Sequence, residues 1–239
     1  MASEQQYIRR LGAWRALVYV AIAVAALVLV LVARAATVGL AAPGFAGKDS
    51  PGSAEHAARV GQQAPTFSGK DSQGKTVALD QYRGRYVVLE WTNLTCPFTK
   101  KHYDSGNMQA LQREWTAKGV VWLTVLSSSP SHTEDGYLTA AEENEHLAQV
   151  HAHPTAAILD ASGEIGRLYD AKTTPHMFVI DPQGKLIYAG AIDNQPTTDT
   201  ADVKTAKNYV SAALSEAMAG QPVETASTRP YGCSVKYGN

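Results

Sequence analysis

The chain has 239 residues, 45% of them hydrophobic and 18% charged, with a formal net charge of -1. That composition fits one ordinary globular domain with attachments and excludes a disordered chain. A charge so near neutrality leaves no electrostatic footprint for nucleic acid or for a strongly acidic partner.

In chain order, the first feature is a basic tail, 1–15, with Arg9, Arg10 and Arg15. An apolar run without charge or proline occupies 16–33. At 1.5 Å per residue this run nearly spans a hydrocarbon core of about 30 Å. The cations ahead of it predict a cytoplasmic N-terminus and an exported remainder. Two readings share that prediction, a retained transmembrane signal anchor and a leader cleaved at Ala33-Arg34-Ala35. The run is longer than the usual leader core, which favours the anchor. Residues 34–60, rich in Ala, Gly, Pro and Ser, read as a flexible tether.

From 61 to 221 the signals alternate between strand and helix. Asp71–Lys75 reads as a turn between two short extended stretches. Tyr86–Trp91 and Val120–Leu126 are short apolar runs, as in strands covered on both faces. Between them a helix opens at Pro97 and closes at Gly119, with Ser105-Gly106 bending or breaking it. Thr139 and Glu142 form a capping box for a polar helix running to about Val150. Thr155–Leu159 and His176–Ile180 read as strands, and Asp181–Gly184 turns the chain into Lys185–Tyr188. A last amphipathic helix places Val203, Ala206, Val210, Ala213, Leu214 and Ala217 on one face, and Gly220 ends it. This order predicts an α/β layered fold with a mixed central sheet. Residues 222–239 form a tail.

The chain has two cysteines, Cys96 and Cys233. In an oxidising compartment two thiols either pair or do redox chemistry. Cys96 falls at the start of the helix that Pro97 opens, where first-turn N–H groups and the macrodipole favour a thiolate. Lys100, Lys101 and His102 come within the next two turns and would add to that effect. Glu90 interrupts a buried-looking strand. If buried, its carboxyl rises toward neutrality and suits general acid/base work; if the strand is shorter, Glu90 faces solvent or a lysine. His146, His151 and His153 lie near one helix end without the spacing of a metal site, so no metal is expected.

The stretch from Val87 through Thr92-Asn93-Leu94-Thr95-Cys96-Pro97, with Thr173-Thr174-Pro175-His176 ahead of a strand, resembles the thioredoxin superfamily. Its peroxiredoxin-like redoxin branch, the alkyl hydroperoxide reductase/thiol-specific antioxidant type, is the most similar. The resemblance implies a thioredoxin-like three-layer fold over 61–221, here preceded by a transmembrane helix. It implies a cis Thr174-Pro175 peptide packed on the Cys96 sulfur, His176 on the rim, and Glu90 where thioredoxins keep a proton-relaying acid. Arg229–Tyr237 resembles the cysteine-bearing tail of some redoxins, which makes Cys233 the candidate resolving residue, within one chain or between two. The departures are specific. Thr99 stands where thioredoxins have their second cysteine, so no CxxC disulfide can form. Leu89 and Asn93 replace the proline and the threonine or serine of the peroxide-cradling motif, leaving Thr92 or Asn93 to supply a polar group instead. Lys100 removes the CxxxC pair of copper-delivering redoxins.

Taken with the export signal, the resemblance implies a membrane-anchored thiol oxidoreductase with an exported domain, acting on a peroxide or a disulfide and recharged by a thiol reductant protein. No cofactor is implied. The alternative is a non-catalytic anchored module in which Cys96 and Cys233 form a static bond.

Overall fold

A computed structural model describes residues 57–238. The apolar run 16–33 and nearly all of the tether lie outside them. Among the described residues no helix is long and apolar enough to cross a membrane.

The central sheet has five strands in the order β5-β4-β3-β7-β8. These are β3 (Val87–Trp91), β4 (Val121–Leu126), β5 (Ala156–Leu159), β7 (His176–Ile180) and β8 (Leu186–Gly190). Strands β3, β4 and β5 run parallel, while β7 is antiparallel to β3 and β8 to β7. The sheet is therefore mixed, as the order of apolar runs predicts. Two small ribbons accompany it: β1 (Ser68–Lys70) with β2 (Thr76–Ala78), and β6 (Thr173–Thr174) with β9 (Cys233–Ser234).

Every residue of β3 is buried, because both faces of the sheet are covered. Val87, Leu89 and Trp91 point into one core with Phe178, Ile180 and Tyr169. The helix α4 (Glu164–Leu168) and the β1–β2 ribbon close that side. Val88 points the other way, into a core with Trp122, Met177 and Val179. Over this second face lie α2 (Asn107–Ala117), through Met108, Leu111 and Trp115, and α5 (Tyr209–Met218), through Val210, Ala213 and Leu214. Burying each of these large side chains is worth roughly 1.5–3 kcal/mol.

The break expected at Ser105-Gly106 is real. It divides α1 (Pro97–Asp104) from α2, with Gly106 in the left-handed region at φ 74°. The capping box of α3 (Ala140–Gln149) forms in full: the Thr139 hydroxyl accepts from the Glu142 N–H, and the Glu142 carboxylate accepts from the Thr139 N–H at 2.8 Å. The last helix differs from expectation. Val203 lies in a separate 3-10 turn (Thr200–Lys204), Ala206 lies between the two, and α5 begins only after Asn208, whose side chain accepts from the Ser211 N–H.

Candidate active site

The site lies where β3 ends and α1 begins. After Trp91 the chain stays on the sheet for one more bond, Thr92 N–H to Val125 O at 3.1 Å. Asn93 then folds the turn on itself: its Oδ1 accepts from the Thr95 N–H and hydroxyl, each at 2.8 Å, and its Nδ2 donates to Asp135 O at 2.6 Å. Gly136, at φ +99°, lets that amide in, since a Cβ there would collide with it. Asn93 thus shapes the loop, and its amide group is engaged away from the sulfur.

Cys96 is the N-cap of α1 with an extended backbone, and Pro97 occupies the first helical position, where a missing N–H costs nothing. The Cys96 side chain is only 1% exposed. Its Sγ–H donates to Thr174 O at 2.9 Å, and the Thr174-Pro175 peptide is cis. On the other side of Thr174 runs β9, with Thr174 directly opposite Cys233 in antiparallel register. One residue, Thr174, therefore joins the two cysteines, which lie 137 positions apart (233 − 96) in the sequence. They are unbonded, Cys96 buried and Cys233 half-buried.

Burial alone pushes the Cys96 thiol up. Hydrogen bonds from the Cys233 thiol, from Thr174 and from the backbone N–H groups of Thr99 and Cys233 outweigh it, so Cys96 titrates below its ordinary value. Cys233 moves the other way, up to about 11, through burial, its thiol's hydrogen bond to Cys96 and the charge developing there. The pair is thus polarised, and Cys96 is the first of the two to give up its proton. The hydroxyls of Thr92 and Thr99 are buried without a hydrogen-bond partner. Thr99 occupies the first turn of α1, so the position that holds a second cysteine in thioredoxins here holds a free hydroxyl.

The cations after Cys96 act elsewhere. Lys100 is exposed. Lys101 is fully buried and turns away, its Nζ donating to Gln195 O at 2.6 Å and lying 3.7 Å from Asp193. His102, driven down to about 4 by burial, is neutral near pH 7. None of the three contributes to the depression of Cys96. His176 lies in β7, 6% exposed, with its ring on Phe178 at 4.4 Å and Nδ1 accepting from the Lys172 N–H. Burial drives it down to about 4, so it too stays neutral. It packs into the domain rather than presenting a charge to a substrate.

Glu90 is fully buried on the α2 side of the sheet. Its carboxylate accepts from Trp122 Nε1 at 2.7 Å, Tyr103 Oη at 2.8 Å, and Gln112 Nε2 and Thr124 Oγ1 at 3.3 Å each. Desolvation raises its carboxyl and these four bonds hold it down, with a net rise. The solvent-facing and lysine-paired readings of Glu90 are therefore excluded. Its partners lie in α1, α2 and β4, and it makes no bond to Cys96. Sequence reasoning missed the neighbouring Glu143, also buried, which burial and then the Glu90 charge push up to about 8. Among the described residues no group of three or more His, Cys, Asp and Glu side chains is placed to hold a metal ion.

The same frame occurs in known structures. An uncharacterized conserved protein from Geobacillus kaustophilus aligns with a TM-score of 0.63 at 22% identity, over 75% of this chain and 93% of that one. A hypothetical protein from Sinorhizobium meliloti 1021 does so with a TM-score of 0.63 at 19% identity, over 75% and 95%. No match is found among curated proteins. The fold is thioredoxin-like, with a redoxin's cysteine at the mouth of its first crossover helix. Within that class the AhpC/TSA family model matches residues 60–189, more than half of the chain, and the chain belongs to that family. The tail bearing Cys233 lies beyond the matched span.

Proposed function

We propose that the protein is a peroxiredoxin-like thiol oxidoreductase in which Cys96 is the nucleophile and Cys233 the resolving thiol. The observation that carries this reading is the position of Thr174, bonded through its carbonyl to Cys96 and paired along the strand with Cys233. The Cys96 thiolate attacks a peroxide oxygen; the O–O bond breaks, the alcohol or water leaves with a proton, and Cys96 becomes a sulfenic acid. Cys233, as thiolate, then attacks the Cys96 sulfur and expels the hydroxyl as water, giving the Cys96–Cys233 disulfide. A thiol reductant protein returns both sulfurs to thiols by exchange. At 1% exposure Cys96 admits a small oxidant more readily than a bulky disulfide, which favours peroxide as the oxidant.

The test is to give the reduced protein one equivalent of hydrogen peroxide and map the products by mass spectrometry. A Cys96–Cys233 bond in the native chain, and sulfenic acid trapped on Cys96 in Cys233→Ser, are expected. Reaction no faster than that of a free thiol sinks the peroxidase reading and leaves disulfide exchange.

The apolar run 16–33 and its flanking arginines support a membrane anchor with the domain on the exported side. Full-length protein is then expected in the membrane fraction, resistant to carbonate extraction and open to protease only from the exported face. Recovery in the soluble fraction counts against the anchor.

A further inference from the structure

Around Cys233 the tail is bound at successive points. The Thr228 N–H donates to Ala189 O at 3.2 Å, and the Thr228 hydroxyl accepts from the Ala191 N–H at 2.9 Å. Beyond the cysteine, the Val235 N–H donates to Lys172 O, and the Tyr237 hydroxyl donates to Ala171 O at 2.7 Å. Gly232, at φ +127°, brings the chain so near that a Cβ would collide with the Thr174 carbonyl, the acceptor of the Cys96 thiol.

Two of these four bonds join backbone to backbone, and the other two join a hydroxyl to the backbone. Tyr231, two residues before Cys233, is different because it reaches a buried charge cluster. Its hydroxyl donates to Asp193 Oδ1 at 2.5 Å and lies 3.2 Å from His102 Nε2. Asp193 is 2% exposed, and its other oxygen, 3.7 Å from Lys101 Nζ and 3.9 Å from His102, has no hydrogen bond. The ring packs edge-on against Phe98 with centroids 5.8 Å apart, and Lys101 Nζ lies 5.7 Å from its centroid. Phe98, Lys101 and His102 all belong to α1, the helix that Cys96 caps. Burying ions this way costs desolvation that only close pairing and hydrogen bonds offset, and the Tyr231 hydroxyl supplies one of those bonds.

We propose that Tyr231 is a positioning residue for the resolving step: bonded to Asp193 and packed on Phe98 and Lys101 of α1, it fixes the tail so that Cys233 rests against Cys96. This rests on Cys233 being the resolving thiol. Ordering the tail before the reaction raises the effective concentration of one sulfur at the other, the usual gain from preorganisation. Tyr231→Phe keeps the ring and removes only the bond to the carboxylate.

The test is the dithiol–disulfide equilibrium of the full chain in glutathione buffers, read by alkylation and mass spectrometry beside thermal unfolding. In Tyr231→Phe the equilibrium constant for the Cys96–Cys233 bond is expected to fall at least about tenfold, a bond to an ionised acceptor being strong, which is about 30 mV toward more oxidising potentials. Phe98→Leu, which leaves the buried charges untouched, is expected to move it the same way by less. A melting temperature that moves while both potentials match the native chain overturns the positioning role. Failure of the native chain to form the intramolecular bond at any glutathione ratio overturns the resolving role itself, a separate result.

Discussion

Replacing Cys96 by serine is expected to lower peroxide consumption at pH 7 by about a hundredfold or more. The reason lies in the thiol left behind. With Cys96 present, Cys233 is pushed up to about 11, so roughly one molecule in ten thousand carries its thiolate at neutral pH. Removing Cys96 lifts the charge it develops but not the burial, the first of the causes. The remaining thiol stays raised by that burial and keeps only a small thiolate fraction at neutral pH. Cys233→Ser is expected to spare the first attack and halt the second, so the two variants are asymmetric. Stopped-flow peroxide consumption with each variant reads this directly. Equal loss in both, or a Cys96→Ser form as fast as the native chain, would mean that Cys96 is not the nucleophile.

The second large effect concerns stability against pH and sits in the buried acid pair. Unfolded Glu143 releases its proton near 4.5, while the folded protein holds it to about 8. Between those values the native state binds the extra proton, so this group's contribution is full below about pH 4.5 and is lost as pH rises toward 8. Glu143→Gln removes the dependence. Its stability is expected to gain on that of the native chain by up to about 1.4 kcal/mol per pH unit across this window, a few kcal/mol in all. Cys96, held below its ordinary value, works in the opposite direction in both proteins and cancels in the difference. His102 and His176, both down at about 4, govern the acid side: they refuse protons that the unfolded chain accepts near 6.5, so stability falls as pH drops from about 6.5 toward 4. Urea titrations of the two proteins at pH 5, 6, 7 and 8 measure this. Parallel curves would show that Glu143 is ionised in the native state.

Much of this was legible in the sequence because the signals are local. Apolar runs mark β3, β4 and β7; Pro97 marks the start of α1; Gly106 marks its break. Glu90 stood out as a charge inside an apolar run, though only the fold could surround it with Tyr103, Gln112, Trp122 and Thr124. The helix start placed near Val203 belongs instead at Asn208, where the deciding cap is one hydrogen bond and small apolar residues upstream mimic the period. Strand β9 has two residues, too few for any pattern, and exists because Thr173 and Thr174 offer it an edge. Lys101 and Asp193 could not be matched from sequence at all. A lysine after a helix-capping cysteine reads as its electrostatic helper, and only the tertiary fold shows it turned toward a distant aspartate.

The shared seat of the two sulfurs also gives the catalytic cycle a direction. Once the proposed disulfide forms, its two ends differ: the Cys96 end is sealed within the domain, and the Cys233 end is half open to solvent. A reductant's thiolate therefore meets Cys233 first. The bond then breaks toward Cys96, the sulfur better able to leave as an anion. Electrons enter through the tail, the partner is held for a moment at the half-open Cys233 rather than in the buried pocket, and the sulfur returned to the pocket is the one whose neighbours favour its ionised form.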